Sequence, residues 1–203
     1  NNAIIVTPGV AGKIDNSDID RNADLIANAD IFITQLEQPL AAAMYGLGMA
    51  RKNGVCTLLN PAPAAELPEG MLALCDYVTP NETEAEGLTG VKVTSVDSAI
   101  DAAKALRAVG AGAAIITLGE NGALYHDAET TIHMPAMSSG KVIETTGAGD
   151  AFNGSFAAAI AEGITPVEAV RFGCAAAGIS VTRSGAANSM PSRAEIDARL
   201  AQE

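Results

Sequence analysis

Short runs of apolar residues alternate along the chain with longer segments in which apolar residues recur every three or four positions. Runs of three to five apolar or β-branched residues, bounded by polar residues, glycine or proline, predict β-strands. The predicted strands are residues 4–6, 31–34, 55–59, 77–79 and 114–118.

The longer segments have the period of amphipathic helices. One begins at Pro39 and the other at Ser95, and the apolar residues of each lie on one helix face: Leu40, Ala43, Met44 and Leu47 in the first, and Val96, Ala99, Ile100, Ala103 and Leu106 in the second. Residues 119–133 predict a β-hairpin, and residues 148–162, 166–181 and 192–200 predict three further helices.

This alternation of strand and helix predicts an α/β fold. Repeated βαβ units favour a mostly parallel sheet with helices on both faces and right-handed crossovers. Ligands bind such sheets at the carboxyl ends of the strands. The 203 residues, 48% of them hydrophobic, contain no repeat and no long linker, so we predict a single α/β domain over residues 1–203.

The net charge of −12 changes the expected partners. It disfavours nucleic acid and anionic membrane surfaces, so an anionic ligand requires a local site of backbone N–H groups, helix ends or metal ions. No apolar run approaches the roughly 20 residues needed to cross a bilayer. The widely spaced Cys56, Cys75 and Cys174 indicate neither a disulfide framework nor a zinc site. We therefore expect a cytoplasmic protein.

The segment TTGAGDAFNG, residues 145–154, carries the strongest chemical signal. Its glycines allow a tight turn before an Ala-rich helix, which predicts an anion site at the positive end of that helix. Asp150 lies in the first helical turn, where its carboxylate can accept a proton from a hydroxyl during phosphoryl transfer. The alternative is a plain loop in which Asp150 caps the helix.

Other segments suggest polar turns at strand ends. In residues 79–86, Asn81 can cap a helix whose first turn holds Glu82 and Glu84. The segment ITLGENG, residues 116–122, predicts a strand followed by a tight turn, and QLE, residues 35–37, follows another strand.

Taken together, these segments resemble the ribokinase family of sugar kinases, the phosphofructokinase-B superfamily. The resemblance also covers NPAPA, residues 60–64, and SVTRSGAANS, residues 180–189, and the motifs occur in the family's order. It implies a ribokinase-like three-layer sandwich with a mostly parallel central sheet. The family's amino-terminal sugar-binding segment and small β-sheet lid are missing from this chain, so we expect the carboxyl-terminal, ATP-binding and catalytic part of a longer kinase.

The resemblance further implies transfer of the ATP γ-phosphoryl group to D-ribose, giving D-ribose 5-phosphate. It assigns Asp150 as general base and sugar contact, with Glu37 also facing the sugar. The backbone N–H groups of Gly147, Ala148 and Gly149 are expected to stabilise the transferring group. The residues expected to contact ATP are Asn81, Thr117, Leu118, Gly119, Glu120, Asn121, Gly122, Gly149, Asp150 and Cys174.

Two metal ions are implied in the same way. Glu84 is expected to act on Mg²⁺ through water. A monovalent cation, K⁺, is expected at Glu144, Thr146, Ser180, Arg183, Gly185 and Ser189. The family usually has aspartate where this chain has Glu144.

Two other functions stay open from the sequence. One is another kinase of the same superfamily, such as a fructokinase or a nucleoside kinase. The other is a non-catalytic nucleotide-binding module that lacks a complete sugar pocket. A Rossmann dehydrogenase is disfavoured because no strand leads into a G-x-G-x-x-G turn. A homodimer through a lid outside this chain is a further expectation of the resemblance.

Overall fold

The computed structural model describes residues 7–202 of the chain. The predicted strand at residues 4–6 lies outside them. The described strands are β1 (Ile31–Thr34), β2 (Cys56–Leu59), β3 (Tyr77–Val78), β4 (Ala113–Thr117), β5 (Ala123–His126) and β6 (Thr131–Met134). They form one sheet in the order β1-β2-β3-β4-β5-β6, in which β1 to β4 are parallel and β5 and β6 are antiparallel. The predicted mostly parallel sheet and its terminal hairpin are confirmed.

Three of the described helices lie in crossovers between parallel strands, two precede β1, and three follow β6. They are α1 (Asn16–Arg21), α2 (Ala23–Ala27), α3 (Leu40–Lys52), α4 (Glu82–Thr89), α5 (Val96–Ala108), α6 (Ala148–Ala161), α7 (Pro166–Ser180) and α8 (Arg193–Leu200). The helices predicted from periodicity are confirmed with bounds shifted by about one residue. The helices α1 and α2 were not predicted, because they are too short to show an amphipathic period.

Alternating residues of the strands point to opposite faces of the sheet, and each face packs against a layer of helices. Leu59 and Ile116 face α3, α4 and α5, whereas Leu58 and Ile115 face α6 and α7. All four side chains are fully buried, as the period of two along a strand requires. The described residues therefore form three layers, with one sheet between two layers of helices. No helix among them has the length and apolarity to span a membrane.

The parallel strands end along one edge of the sheet, and backbone hydrogen bonds hold together the residues that follow them. Asn60 N donates to Thr34 O at 3.0 Å, and Thr79 N donates to Leu59 O at 3.0 Å. Polar residues after β1, β2 and β3 therefore share the carboxyl edge, where an α/β sheet binds its ligands.

Candidate active site

A glycine turn leads into α6 and leaves the start of this helix uncapped. Gly147 is the N-cap residue and has a φ of +80°, which a side chain would strain, and no side chain caps the helix. Within residues 7–202, the N–H groups of Gly149 and Asp150 have no hydrogen-bond acceptor, whereas Ala148 N donates to Thr145 O at 3.2 Å. The positive end of a fourteen-residue helix thus offers free donors to an anion.

The loop that follows α7 supports this glycine turn. A Cβ atom at Gly147 would lie 3.4 Å from Ala186 Cα and 3.3 Å from Met190 Cε. This close packing and the positive φ of Gly147 together favour glycine at this position. The two motifs that the sequence separates by more than thirty positions form one wall of the site.

Asp150 is the third residue of α6 and is exposed. Its side chain accepts a hydrogen bond from the residue that follows β1. Gln35 Nε2 donates to Asp150 Oδ1 at 3.3 Å. Gln35 follows β1 directly, so this contact joins the first strand described to the helix after the glycine turn. The carboxylate that the sequence analysis assigns as a base thus lies at the carboxyl edge of the sheet.

An open cleft of about 440 Å³ lies between β1, α3 and the start of α6. Apolar residues of β1 and α3 form one part of its lining, and its polar lining consists of Thr34, Gln35, Gln38, Asn60, Asp150 and Asn153. Asn153 is 7% exposed, and its Oδ1 atom has no hydrogen-bond partner among the described residues. The cleft therefore places a buried, unpaired acceptor one helical turn from Asp150.

Glu37, which the resemblance assigns to the sugar, takes a different position. The chain bends after β1, Leu36 is buried at 8% exposure, and Glu37 is exposed. The cleft is lined by Gln35 and Gln38, and Glu37 is not among its lining residues. The structure does not bring Glu37 into the cleft beside Asp150.

Asn81 and Glu84 form a reciprocal cap at the start of α4. Glu84 N donates to Asn81 Oδ1, Asn81 N donates to Glu84 Oε2, and Asn81 Nδ2 donates to Glu84 Oε1, each at 2.9 Å. Glu84 is 7% exposed, and this burial raises the pKa of its carboxyl group against the opposing effect of the Asn81 hydrogen bonds. Each of its two carboxylate oxygens accepts one hydrogen bond from Asn81.

The turn after β4 lies next to this cap. Asn81 forms a parallel β-bridge with Thr117, and Thr117 N donates to Pro80 O at 3.0 Å. Residues Gly119–Asn121 form a 3₁₀ helix, and Leu118 N donates to Gly122 O at 2.7 Å across the turn. The structure thus brings together Asn81 and the 117–122 turn, which the resemblance assigns to ATP.

Cys174 lies in the interior of α7. It is 5% exposed and belongs to the apolar cluster that includes Phe152 and Phe172. A contact between its sulfur and a nucleotide base stays a prediction.

The residues assigned to a monovalent cation come from two adjoining loops. Ile143 N donates to Val181 O at 2.8 Å, and Gly185 N donates to Glu144 Oε2 at 2.8 Å. The Gly185 N–H and the Thr146 side chain lower the pKa of Glu144. Ser180 and Ser189 are buried and Arg183 N donates to Ser180 O at 3.1 Å. The residues predicted to bind the cation therefore come from two segments of the sequence that lie next to each other in space.

Comparison with known proteins agrees with this arrangement. The family model "pfkB family carbohydrate kinase" matches residues 1–193. The chain belongs to the pfkB family. Ribokinase from Haemophilus influenzae is 41% identical over 194 residues, which cover 96% of this chain and 63% of that protein. Deoxyribokinase from Salmonella typhi is 36% identical over 192 residues, which cover 94% of this chain and 62% of that protein.

A solved structure shows the same fold. Arabidopsis thaliana ribokinase complexed with ribose and ATP superimposes with a TM-score of 0.86 at 31% identity, covering 89% of this chain and 59% of that one. This likeness confirms the predicted ribokinase-like α/β architecture. The pfkB chain spans 63% of the length of the Haemophilus influenzae protein and 62% of the Salmonella typhi protein.

Of the six polar residues that line the cleft in this pfkB chain, sequence reasoning assigned a role only to Asp150 and missed Thr34, Gln35, Gln38, Asn60 and Asn153. For Gln35 a signal was present, because a polar residue directly after a parallel strand lies at the ligand-binding edge. Asn153 carried a weaker sequence signal, since an amide three positions after Asp150 also fits an ordinary helix surface.

Proposed function

We propose that this chain provides the nucleotide-binding and catalytic part of an ATP-dependent ribose kinase. The reaction transfers the γ-phosphoryl group of ATP to the primary hydroxyl of D-ribose and yields D-ribose 5-phosphate and ADP. The observation that carries the proposal is the position of Asp150, a carboxylate in the first turn of a helix where the N–H groups of Gly149 and Asp150 are unpaired. A proton acceptor and an anion site thus lie within one helical turn.

In the proposed reaction, Asp150 accepts the proton of the sugar hydroxyl as its oxygen bonds to the γ-phosphorus. The bond between that phosphorus and the β–γ bridging oxygen breaks, and ADP leaves with the electron pair. The N–H groups of Gly149 and Asp150 stabilise negative charge on the transferring group. Ala148 N joins them only if its 3.2 Å hydrogen bond to Thr145 O opens. The Gly147 turn shapes the site.

ATP is proposed to bind along the edge from α6 to the 117–122 turn. The supporting observation is that Asn81 pairs with Thr117 there, so the capped start of α4 and this turn form one surface. Its proposed contacts are Thr117, Leu118, Gly119, Glu120, Asn121, Gly122 and Cys174. The Arabidopsis protein that shares the fold was solved in complex with ribose and ATP.

The residues present fit the implied Mg²⁺ as a mostly hydrated ion. Residues 7–202 contain no group of three or more acidic, histidine or cysteine side chains placed to hold a metal. Mg²⁺ usually keeps several waters and binds substrate phosphates, with few protein ligands. Glu84 would act on this ion through water, since both of its carboxylate oxygens accept hydrogen bonds from Asn81.

The two cation loops fit a potassium ion in the chemistry of their donors. Carbonyl and hydroxyl oxygens of Thr146, Ser180, Arg183, Gly185 and Ser189, together with the Glu144 carboxylate, form a set of hard oxygen ligands without soft atoms. Such an ion would order the loops that support the glycine turn. Cytoplasmic localisation and dimerisation through a lid stay predictions.

The identity of the sugar substrate has one specific alternative. Deoxyribokinase from Salmonella typhi is 36% identical to this chain, which makes 2-deoxy-D-ribose the second candidate substrate. We expect ribose to be preferred because the ribokinase from Haemophilus influenzae is more similar, at 41% identity.

The test measures sugar-dependent ADP release, with ribose, 2-deoxyribose, fructose and adenosine compared at equal concentration. It uses the complete gene product if the gene encodes further residues. A preference for 2-deoxyribose, fructose or adenosine contradicts the proposal that D-ribose is the substrate. ATP binding without release of ADP for any acceptor contradicts the kinase function and favours a nucleotide-binding module.

A further inference from the structure

Gln35 is the residue that holds the side chain of Asp150. Its Nε2 atom donates to Asp150 Oδ1 at 3.3 Å, across 115 positions of sequence. Among residues 7–202 this is the only hydrogen bond to the Asp150 side chain. Without it, an exposed carboxylate at the start of α6 would be free to rotate about two side-chain bonds.

The backbone of Gln35 is itself fixed by its neighbours. Gln38 Nε2 donates to Gln35 O at 2.6 Å and also to the hydroxyl oxygen of Thr34, which is buried. The next residue is tied to the adjacent loop, because Leu36 N donates to Ala62 O at 2.9 Å. The Gln35 side chain therefore extends toward Asp150 from a fixed point at the end of β1.

The chemistry of an amide suits it to orient a base. An amide N–H donates a hydrogen bond to a carboxylate without taking its proton and without adding a positive charge. The contact engages Oδ1 and leaves Oδ2 with its lone pairs for the hydroxyl proton. A lysine in the same place would instead neutralise the carboxylate and weaken it as a base.

The surroundings of the pair indicate a ligand site. Gln35, Asp150 and Asn153 line the same cleft, and Asn153 is 7% exposed with an unpaired Oδ1 atom. A buried acceptor without a partner is unfavourable unless a ligand or water donates a hydrogen bond to it. A sugar bound next to Asp150 has hydroxyl groups that can donate this hydrogen bond.

We propose that Gln35 is a positioning residue for phosphoryl transfer: it orients the Asp150 carboxylate through Oδ1 so that Oδ2 meets the sugar hydroxyl. The inference rests on the proposed kinase function and deepens it. Gln35 acts through Asp150 and has no role in holding the nucleotide.

The kinetic test compares the wild type with Gln35→Leu and Gln35→Glu, and uses Gln202→Leu as the control because Gln202 is exposed near the carboxyl end. For Gln35→Leu we expect kcat to fall about 10- to 100-fold, the range of a hydrogen bond to a charged group, with KM for ATP within about twofold. For Gln35→Glu the added carboxylate repels Asp150, so the acid limb of the pH–rate profile moves to higher pH.

The outcomes separate the two proposals. An active wild type whose Gln35→Leu variant keeps kcat within twofold contradicts the role of Gln35 and leaves the kinase function standing. A Gln35→Leu variant that changes only KM for ATP contradicts it as well. A wild type without sugar-dependent ADP release contradicts the kinase function, and the role of Gln35 falls with it.

A second measurement examines the contact without turnover. The side-chain amide resonance of Gln35 is followed by NMR against pH in the wild type and in Asp150→Asn. We expect this resonance to titrate in the wild type and to stay constant in the variant, since only a carboxylate changes charge. A resonance that is insensitive to pH in both proteins shows that the contact is absent and overturns the inference.

Discussion

Gly185 N donates to Glu144 Oε2 at 2.8 Å, and this hydrogen bond joins two loops whose residues lie 41 positions apart. The same N–H and the Thr146 side chain lower the pKa of Glu144, so this carboxylate stays charged at a lower pH than an ordinary glutamate does. The glycine turn before α6 packs on the second of these loops. Glu144 therefore links the proposed cation site to the proposed anion site.

Replacement of Glu144 by glutamine is expected to weaken activation by potassium. Glutamine keeps an acceptor for Gly185 N but removes the negative charge that attracts a cation. We expect the K⁺ concentration for half-maximal ADP release to rise roughly three- to fivefold, the size of a partly exposed charge interaction. The measurement is the rate against K⁺ at constant ionic strength. Glu144→Asp keeps the charge, so an equal loss in both variants would contradict this explanation.

Asp150→Asn is expected to abolish most turnover while ATP still binds. Asparagine has nearly the same shape but cannot accept the hydroxyl proton, so we expect kcat to fall by about 10²- to 10⁴-fold. Calorimetry should find the Kd for ATP within about threefold of the wild type, because the helix N–H groups are retained. The control is Asp101→Asn, an exposed residue of α5 paired with Lys104. A kcat within tenfold of the wild type would exclude Asp150 as the base.

A comparison of two helix caps separates stability from nucleotide binding. Asn81 and Ser95 both form capping boxes, at α4 and α5 respectively. Replacement of either by alanine is expected to reduce the free energy of unfolding by about 1 kcal/mol. Only Asn81→Ala should also weaken ATP binding, since Asn81 adjoins Thr117. Urea unfolding and calorimetry measure the two effects. Equal ATP affinities in the two variants would restrict Asn81 to capping.

The sequence predicted the layers of this fold because each layer leaves a local pattern. The strand at residues 31–34 has the predicted bounds, β2 and β3 each differ from the prediction by one residue at one end, and β4 is shifted by one residue at both ends. The short helices α1 and α2 were missed, although Asp15 and Asp18 form a capping box that is visible as D-x-x-D. With only six and five residues, these helices show too few turns for a hydrophobic period.

The site divides in the same way. Asp150 and the turn before it follow from local rules for glycine and helix ends. The contact between Gln35 and Asp150 does not, because it spans 115 positions and depends on how β1 meets α6 in space. The exposed position of Glu37 depends on a bend after the strand, for which no glycine or proline between Gln35 and Gln38 gives a local signal.

The ion pair between Arg183 and Glu195 predicts a response of stability to acid. The hydrogen bonds from Arg183, and then those from Ser192, lower the pKa of Glu195 to about 2 from its ordinary value of 4.5. Since the folded-state pKa is the lower one, the contribution of Glu195 is fully present above about pH 4.5 and is lost as the pH falls toward about 2. The wild type should therefore lose stability across this window.

The check for Glu195 is a series of thermal unfolding midpoints between about pH 5 and about pH 2. Glu195→Gln and Arg183→Gln should both flatten the acid side of the curve, because each variant removes one partner of the pair. A curve that is unchanged in Glu195→Gln would show that other carboxyl groups account for the acid response.

Two glycines of the proposed nucleotide turn offer a matched test of local packing. Gly119 and Gly122 both have positive φ angles, +54° and +91°. A Cβ atom at Gly119 would meet no atom within 4 Å, whereas one at Gly122 would lie 2.0 Å from Met134 O. Gly119→Ala therefore carries only the left-handed backbone strain of about 1–2 kcal/mol. Gly122→Ala adds a clash with the backbone of β6, for a total of roughly 2–5 kcal/mol.

Urea unfolding of the two glycine variants measures this difference as a shift in midpoint at constant m-value. Because the clash at Gly122 displaces the turn itself, ATP affinity should fall further in Gly122→Ala than in Gly119→Ala, where the backbone keeps its place. Equal losses of stability in the two variants would show that β6 moves aside freely. The turn would then be held by its own Leu118–Gly122 hydrogen bond, and not by its packing on the strand.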